Sequence, residues 1–235
     1  MNKTIASLVL ILILQIAPGC NRRNSQGCSD SMDRYRKVLL TTKSKPDTTF
    51  LLSMLDEIAS QNPNCIDTYL ARGDIFSAKG NSPRAHFDYN TVIANDRQNV
   101  YAYYKLGLLC QKDGSFDSSV YYLRTALNLK THGNWVVDFK HINKDLETEE
   151  KRYDVPANSL FYTLGISLYY NRSLTKALTV FDLCIDNNYV LEQSYLFRGA
   201  IYEEMKKPDS ACEDFIKAKM FGNVEADNYL KKYCK

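Results

Sequence analysis

The sequence is poor in the residues that break helices and in the motifs that mark enzymes. Its 235 residues include only 10 glycines, 6 prolines, 1 tryptophan and 3 histidines. Sandwiches and barrels of β-strands need many turns, so this scarcity favours helices. The sequence contains no Gly-rich phosphate loop, no paired-cysteine zinc spacing and no HExxH sequence. We therefore expect no catalytic residues, no metal and no cofactor.

An excess of charge of one sign is also lacking. The formal net charge is +3, from 30 basic and 27 acidic residues scattered along the chain. Nucleic-acid binding requires a basic face, so we expect no nucleic-acid partner. Hydrophobic residues make up 45% of the chain and 17 residues are tyrosine, which indicates a folded, aromatic-rich protein.

The N-terminus carries a short apolar run, Ile5 to Ala17, behind Lys3. A membrane-spanning helix needs roughly 20 apolar residues, and this run is shorter. A charged start followed by a run of this length is typical of a secretory signal peptide. The run ends in Ala17-Pro18-Gly19-Cys20, which resembles the lipobox of bacterial lipoproteins.

The lipobox resemblance implies three expectations for the beginning of the chain. Residues 1–19 are a signal peptide, Cys20 is lipidated, and residues 20–31 form a flexible tether. The protein would then be held on the periplasmic side of a bacterial envelope membrane by its lipid anchor. Ordinary secretory cleavage, which would give a soluble secreted protein, stays open as the alternative.

The strongest pattern in the sequence is an internal repeat. Four similar segments end in glycine: Tyr69–Gly73, Tyr103–Gly107, Phe161–Gly165 and Tyr195–Gly199. These glycines lie 34, 58 and 34 residues apart, and 58 exceeds one 34-residue period by 24. Twelve positions after each glycine stands a small residue, and four further on a bulky one: Ala85, Ser119, Ala177 and Ala211, then Tyr89, Leu123, Phe181 and Phe215. Small residues facing bulky ones let paired helices approach closely.

This pattern resembles the tetratricopeptide-repeat (TPR) family. The resemblance implies an all-α solenoid of helical hairpins over residues 32–235. The solenoid has four clear repeats, at 66–99, 100–133, 158–191 and 192–225. A degenerate first unit at 32–65 precedes them, and a C-terminal capping helix at 225–235 follows. Residues 132–157 interrupt the repeats, and their spacing predicts one extra amphipathic helix followed by a turn at Asp154 to Pro156. This insertion is either a packed spacer or an element of the binding face.

In the TPR family the first helix of each repeat lines a concave groove, commonly with its second, fifth, ninth and twelfth positions. Those positions are Asp67, Leu70, Asp74, Ser77, Tyr101, Tyr104, Leu108, Gln111, Ser159, Tyr162, Ile166, Tyr169, Gln193, Leu196, Ala200 and Glu203. The Lys, Asn and Arg clamp of chaperone-binding members is absent from them, and the middle is aromatic with acidic residues towards both ends. The expected peptide-binding residues are Tyr101, Tyr104, Leu108, Tyr162, Ile166 and Tyr169. Tyrosine suits peptide recognition because it combines apolar area with a hydroxyl, although these tyrosines could instead pack against neighbouring helices or the insertion.

Six cysteines follow Cys20, and export would allow disulfides. Cys212 lies on the second helix of the last repeat and Cys234 on the end helix, so this pair is one candidate bridge. Cys28 with Cys65 is another. Cys110 and Cys184 occupy core phases, where free thiols behave as small hydrophobes. Sequence alone does not establish the connectivity.

These patterns favour a non-catalytic scaffold of the bacterial cell envelope that binds a partner polypeptide in its groove. Capture of a glycan or another non-protein ligand is the alternative. A hydrolase is more remote; its site would use Asp138 and His141, one helical turn apart in the insertion. Fold resemblance does not identify the partner.

Overall fold

The structure is a computed structural model that describes residues 19–41, 47–132 and 153–234, without the side chains of 19–26 and 41. Every regular element within these ranges is an α-helix, and no strand occurs in them. The prediction of an all-α TPR fold is confirmed. None of the helices in these ranges is long and apolar enough to cross a membrane. Residues 1–18 of the predicted signal peptide and most of the insertion, including His141, lie outside the described residues.

The chain divides into two compact units, and the first extends to Arg97. Its helices are α1 (Gly19–Thr41), α2 (Thr48–Gln61), α3 (Ile66–Ala78) and α4 (Ser82–Asn95). The side chain of Asp47 accepts a hydrogen bond from the backbone N–H of Thr49 at the start of α2, and Asn81 does the same for Arg84 in α4. Asp and Asn are favoured at these positions because they satisfy N–H groups that the helix leaves unpaired.

The structure differs from the tether expected over residues 20–31, because α1 already begins at Gly19. Cys28 of this segment forms a disulfide with Cys65, with their Cα atoms 5.4 Å apart. Met32 and Tyr35 then enter the core of the first unit. A polar stretch by itself suggested an unstructured linker, but the covalent link and the buried side chains after it hold this stretch to the folded unit.

The second unit, from Gln98 onward, contains the remaining helices of the described chain. They are α5 (Val100–Lys112), α6 (Phe116–Thr131), α7 (Ala157–Tyr170), α8 (Leu174–Asp186), α9 (Leu191–Glu204), α10 (Pro208–Met220) and α11 (Ala226–Tyr233). Each helix contacts the next, including α6 and α7 on either side of the insertion. Helix α5 also contacts α7, and α7 contacts α9, so the first helices of successive repeats in this unit are neighbours. The predicted capping helix is α11, which packs against α10.

The repeated glycines lie where the two helices of each repeat meet. A Cβ atom added at Gly107 would approach a side-chain carbon of Leu123 to 2.6 Å, a distance that real Cβ atoms essentially never show. The same contact occurs in every clear repeat, between Gly73 and Tyr89, Gly107 and Leu123, Gly165 and Phe181, and Gly199 and Phe215. All four bulky partners are fully buried. This contact explains why the sequence repeats a glycine and a bulky residue at fixed spacing.

Buried hydroxyl groups connect the second repeat to the third. Ser119 stands where the other repeats have alanine, and its hydroxyl donates to the carbonyl of Gly107 at 2.7 Å. The same hydroxyl lies 2.8 Å from that of Ser167 in α7. Gln111 in α5 donates to the Ser167 hydroxyl at 3.0 Å and to the carbonyl of Thr163 at 3.3 Å. Because buried polar groups are costly unless paired, this network favours one register between α5, α6 and α7.

The first repeat carries a guanidinium between its helices. Arg72 precedes Gly73 and makes hydrogen bonds of 2.6 to 3.2 Å to both carboxylate oxygens of Asp88, whose side chain is 1% exposed. Its Nη1 atom also lies 2.7 Å from Oδ1 of Asp56 on α2. Burial raises the pKa of Asp88 in spite of Arg72. The equivalent trio in the fourth repeat is Arg198, Asp214 and Asp182.

Candidate functional site

The six residues predicted to line the groove lie on two neighbouring helices of the second unit. Tyr101, Tyr104 and Leu108 belong to α5, and the other three, Tyr162, Ile166 and Tyr169, to α7. All six are partly exposed. The tyrosines and Ile166 also pack against the buried core of the unit. Each of these five side chains therefore has one side against the core and another exposed.

Three of these tyrosines gather with a fourth, Tyr189, into what we call the tyrosine cluster: Tyr104, Tyr162, Tyr169 and Tyr189. The Tyr162 and Tyr189 rings meet edge to face, with centroids 6.2 Å apart. Tyr104 lies near enough to Tyr189 for the two phenol groups to interact electrostatically. Tyr162 and Tyr169 both contact the ring of Phe197 in α9, at centroid distances of 6.5 and 5.7 Å.

Tyr189 was not predicted from the sequence, because it lies in the turn between α8 and α9 and outside the helical pattern. The residues on either side of it, Asn188 and Val190, have left-handed backbones with φ of 53° and 45°. This conformation is rare for a β-branched residue such as valine. The backbone carbonyl of Tyr189 accepts a hydrogen bond of 3.0 Å from the Ser194 hydroxyl. The Tyr189 hydroxyl shares a hydrogen bond of 2.9 Å with the Ser159 hydroxyl. Strained turns that are held in this way concentrate at functional sites.

The hydroxyl groups of the cluster differ in their hydrogen bonding. The Tyr104 hydroxyl shares a hydrogen bond with Thr163, and burial raises its pKa. Burial also raises the pKa of Tyr169, whose hydroxyl donates to Glu204, a carboxylate paired with Arg172 at 2.6 Å.

Tyr162 differs from the other three tyrosines of the cluster. Burial, followed by the charges of Cys184 and Glu192, raises the pKa of Tyr162 to about 12. Its hydroxyl has no hydrogen bond to any residue in the described ranges. At neutral pH this hydroxyl is protonated and can donate to a ligand.

Several other expected groove positions are closed in the structure. Leu196 and Ala200 of α9 are buried, as is Leu70 of α3 in the first unit. Leu196 belongs to the core cluster that includes Phe215 and Ala226, the first residue of α11. The positional rule of the family therefore overestimates the exposed surface of the fourth repeat, because packing near the C-terminal cap covers it.

Tyr101, at the other end of the predicted set, has close neighbours of its own. Its ring packs edge to face on Tyr153, with centroids 4.9 Å apart, and the Lys105 ammonium lies 5.2 Å from its centroid. Tyr153 directly follows the part of the insertion that lies outside the description. Part of Tyr101 is thus engaged within the chain.

The cysteines fall into two classes. Cys212 and Cys234 form a disulfide with Cα atoms 5.6 Å apart, which links α10 to the end of α11. Cys110 and Cys184 are free and buried, and burial raises the pKa of the Cys184 thiol to about 12. Cys20 lies in α1, and its side chain is not among those that the structure describes. In the described ranges no three His, Cys, Asp or Glu side chains gather as a metal site would require.

Part of the chain matches a known family of repeats. The tetratricopeptide-repeat family model matches residues 100–132, which comprise α5 and α6. No curated protein matches the chain in sequence.

Solved structures with the same fold were found. MamA is 18% identical with a TM-score of 0.63, and the match covers 90% of this chain and 97% of MamA. YrrB, described as a TPR protein with an unusual peptide-binding site, is 15% identical with a TM-score of 0.66, over 86% of this chain and 90% of YrrB. PilW, described as a widely conserved type IV pilus biogenesis factor, is 12% identical with a TM-score of 0.56, over 90% and 92%. The family-model match over α5 and α6, the repeated glycine contacts and these likenesses together show that the chain has the tetratricopeptide-repeat fold.

Proposed function

We propose that this protein is a non-catalytic interaction scaffold that binds an extended segment of a partner polypeptide at the tyrosine cluster. The observation that carries this proposal is the cluster itself, in which four partly exposed tyrosines converge from α5, α7 and the turn before α9. Tyrosine provides a rigid apolar ring and a hydroxyl with few rotatable bonds, so ordering it on binding costs little. The peptide-binding site named for YrrB supports the same class of function on this fold.

The ring geometry favours a polypeptide over a glycan. The Tyr162 ring stands at 75°, 66° and 72° to the rings of Phe181, Tyr189 and Phe197, and Tyr169 at 67° to Phe197. A sugar ring stacks best on a flat, open aromatic face, and edge-to-face packing places the edges and faces of these rings against one another. A glycan ligand remains the second candidate, and the experiment below separates the two.

We propose further that the protein acts in a bacterial envelope and is anchored through Cys20. The lipobox-like sequence motivates this proposal, and the two disulfides support it because such bonds persist in oxidising compartments. Several acyl chains on one cysteine would make the anchoring stable. Cys20→Ser should give unprocessed or soluble protein. Mass spectrometry of the wild-type mature protein provides the test, and an unacylated N-terminus would contradict the anchor.

Site-specific photocrosslinking tests the binding face. A photoreactive phenylalanine analogue replaces Tyr162 in the full chain in cells, and Tyr121 of α6, which is 63% exposed, serves as the matched control position. We expect a discrete protease-sensitive adduct from position 162 and none of that size from position 121. A protease-resistant adduct that glycosidases remove would favour the glycan, and identical products from both positions would refute the cluster as a binding site.

The purified partner then allows a quantitative comparison. Tyr162→Phe removes only the hydroxyl and keeps the ring that packs on Phe181 and Phe197, so the fold should be retained. Loss of an aromatic hot spot typically costs about 2 kcal/mol or more, roughly thirtyfold in affinity. We expect Tyr162→Ala to reach that loss and Tyr162→Phe to fall between it and the wild type, while Tyr121→Phe binds as the wild type does.

A further inference from the structure

The tyrosine cluster differs from other tyrosines of the repeats in what lies over its rings. A cation of the chain itself lies 5.2 to 5.9 Å from the ring centroid of four other tyrosines on first helices: Tyr69, Tyr101, Tyr195 and Tyr202. Within the part of the chain that the structure describes, no lysine or arginine lies over the four rings of the cluster. A cation within about 6 Å of a tyrosine centroid is attracted by the negative face of the ring. The partly exposed rings of the cluster therefore lack a contact that these other tyrosines have.

A carboxylate lies beside the cluster, in the first turn of α9. Glu192 comes between Tyr189 and Phe197 in the sequence. The rings of these two residues pack edge to face on Tyr162, at centroid distances of 6.2 and 6.5 Å. Asn223 donates a hydrogen bond of 3.2 Å to the backbone carbonyl of Glu192, which fixes this turn of α9. The Glu192 carboxylate is close enough to Tyr162 to contribute to the raised pKa of its hydroxyl. The segment that packs around the Tyr162 ring thus also brings a negative charge to it.

Two acceptor groups in this turn have no donor within the described ranges. The Glu192 side chain is partly buried, and its carboxylate makes neither a hydrogen bond nor an ion pair there. The side-chain oxygen of the next residue, Gln193, is buried and accepts no hydrogen bond there. In the first unit, by contrast, the groove carboxylate of Asp67 pairs with Arg36 at 2.9 Å. A buried polar group is costly unless it is paired, so these acceptors favour a ligand that donates hydrogen bonds.

Basic groups of the chain near the cluster are engaged with other partners. Arg172, which follows α7, is 72% exposed and pairs with Glu204 at 2.6 Å. Lys105 of α5 lies over Tyr101, which is outside the cluster. The charge that these contacts leave uncompensated at the cluster is the negative charge of Glu192, and its complement is a cation.

We propose that the polypeptide segment bound at the tyrosine cluster carries a lysine or arginine whose side chain packs on the rings of Tyr162 and Tyr189 and meets the Glu192 carboxylate. This specificity rests on the scaffold function proposed above, because it concerns the same site. The aliphatic stem of either residue covers apolar ring surface while its charged end stays at the polar edge. Lysine and arginine are donors only, so they supply the hydrogen bonds that Glu192 and Gln193 lack and are attracted to the ring faces.

Proton NMR of defined peptides with the full chain tests the proposal. The probe is a short, terminally blocked peptide with one lysine among alanines. Its controls replace the lysine with norleucine, which has a similar length and no charge, or with glutamate. Because a group that packs on a ring face is shifted upfield by the ring current, we expect saturable upfield shifts of the lysine ε-methylene protons. The norleucine peptide should bind more weakly and the glutamate peptide not at all. The affinity for the lysine peptide should fall as salt increases, because salt screens charges at a surface.

Variants of the carboxylate separate charge from packing. Glu192→Gln removes the charge and keeps the shape of the side chain. It should weaken binding of the lysine peptide about fivefold, the upper range for an exposed ion pair, and leave the norleucine peptide unchanged. Glu192→Lys places the chain's own ammonium beside the rings and should abolish binding of the lysine peptide. Glu213→Gln, at an exposed carboxylate on α10, is the matched control and should bind as the wild type does.

Three outcomes would overturn the cation site. They are equal shifts with the lysine and norleucine peptides, equal affinity of the wild type and Glu192→Gln for the lysine peptide, and no shift at millimolar peptide. Photocrosslinking from position 162 decides the scaffold function separately. A polypeptide adduct from that position together with any of these outcomes would refute only the preference for a cation, whereas adducts identical to those from position 121 would refute both proposals.

Discussion

All four repeats bring their two helices together at a glycine in the same position of the repeat. The residues that stabilise this contact differ between two pairs of repeats, the first with the fourth and the second with the third. In the first and fourth, an arginine before the glycine is bound by a nearly buried aspartate, as in Arg72 with Asp88 and Arg198 with Asp214. In the second and third, leucine takes the place of arginine, and the hydroxyls of Ser119 and Ser167 join the two repeats. Disulfides follow the same division, since Cys28–Cys65 ends at the first repeat and Cys212–Cys234 includes the fourth.

The difference shows that the close helix contact is the common requirement and that the residues around it are free to vary. The second and third repeats, which contain neither a disulfide nor a buried arginine pair among their described residues, carry the partly exposed tyrosines of the cluster. The cross-linked segments of the structure are thus different from the segments that carry the partly exposed tyrosines.

The largest expected effect comes from converting the first repeat to the chemistry of the third. Arg72→Leu leaves Asp88 buried without its partner, and breaking such a pair typically costs about 3–5 kcal/mol of unfolding free energy. Arg72→Leu/Asp88→Val replaces the whole pair with apolar residues and should recover most of that loss. Urea unfolding of both variants measures the change in unfolding free energy. A double variant no more stable than the single one would show that the pair cannot be exchanged for apolar residues.

The disulfide of the fourth repeat provides the next comparison. Cys212→Ala/Cys234→Ala removes a link across 22 residues, which should lower the unfolding free energy by about 3 kcal/mol. Hydrogen exchange should then increase first in α11, because that helix loses its covalent attachment to α10. Alkylation of both cysteines in the native protein before reduction would show that the bond is absent.

Substitution of the repeat glycine should destabilise the protein in every repeat, but by different amounts. Gly107→Leu and Gly165→Leu should each cost roughly 1–3 kcal/mol or more, since extra carbon is forced between packed helices. With alanine the two sites should differ. A Cβ at Gly107 would lie 2.6 Å from Leu123, whereas one at Gly165 would lie 3.0 Å from the tip of the Phe181 ring. Thermal melts should rank Gly107→Ala below Gly165→Ala, and the reverse order would contradict the geometry.

The smallest effect concerns the tyrosine cluster at alkaline pH. Because burial raises the pKa of Tyr162 to about 12, from about 10 in the unfolded chain, the folded state holds its proton more tightly. This contribution to stability is complete below pH 10 and is lost as the pH rises towards 12. Urea midpoints for the wild type should therefore fall more steeply between pH 10 and 11 than those for Tyr162→Phe. The exposed control Tyr121→Phe should follow the wild type, and parallel curves for all three would show that Tyr162 is solvated.

The repeats could be predicted from the sequence because their signal is local and occurs four times. A glycine, a small residue and a bulky residue at fixed spacing require two helices in close contact, and this contact is present at Gly73, Gly107, Gly165 and Gly199. The cap at the end of the chain followed from the same periodicity. The helix that replaces the expected tether was not predicted, because the polar composition of residues 20–31 suggested a linker, even though Cys28 with Cys65 was already a candidate bridge.

The candidate sites show where local information ends. The sequence by itself determined the helical repeats and the presence of Tyr104, Tyr162 and Tyr169 on first helices, because helix periodicity assigns each residue to a face. Only the tertiary structure decided that Leu196 and Ala200 are buried and that Tyr189 joins the cluster. The same holds for the meeting of Leu164 of α7 with Val180 of α8 at one surface cavity, which no spacing rule predicts. Such features depend on residues from different helices and turns meeting in space, and the position of a residue within its own helix does not specify that meeting.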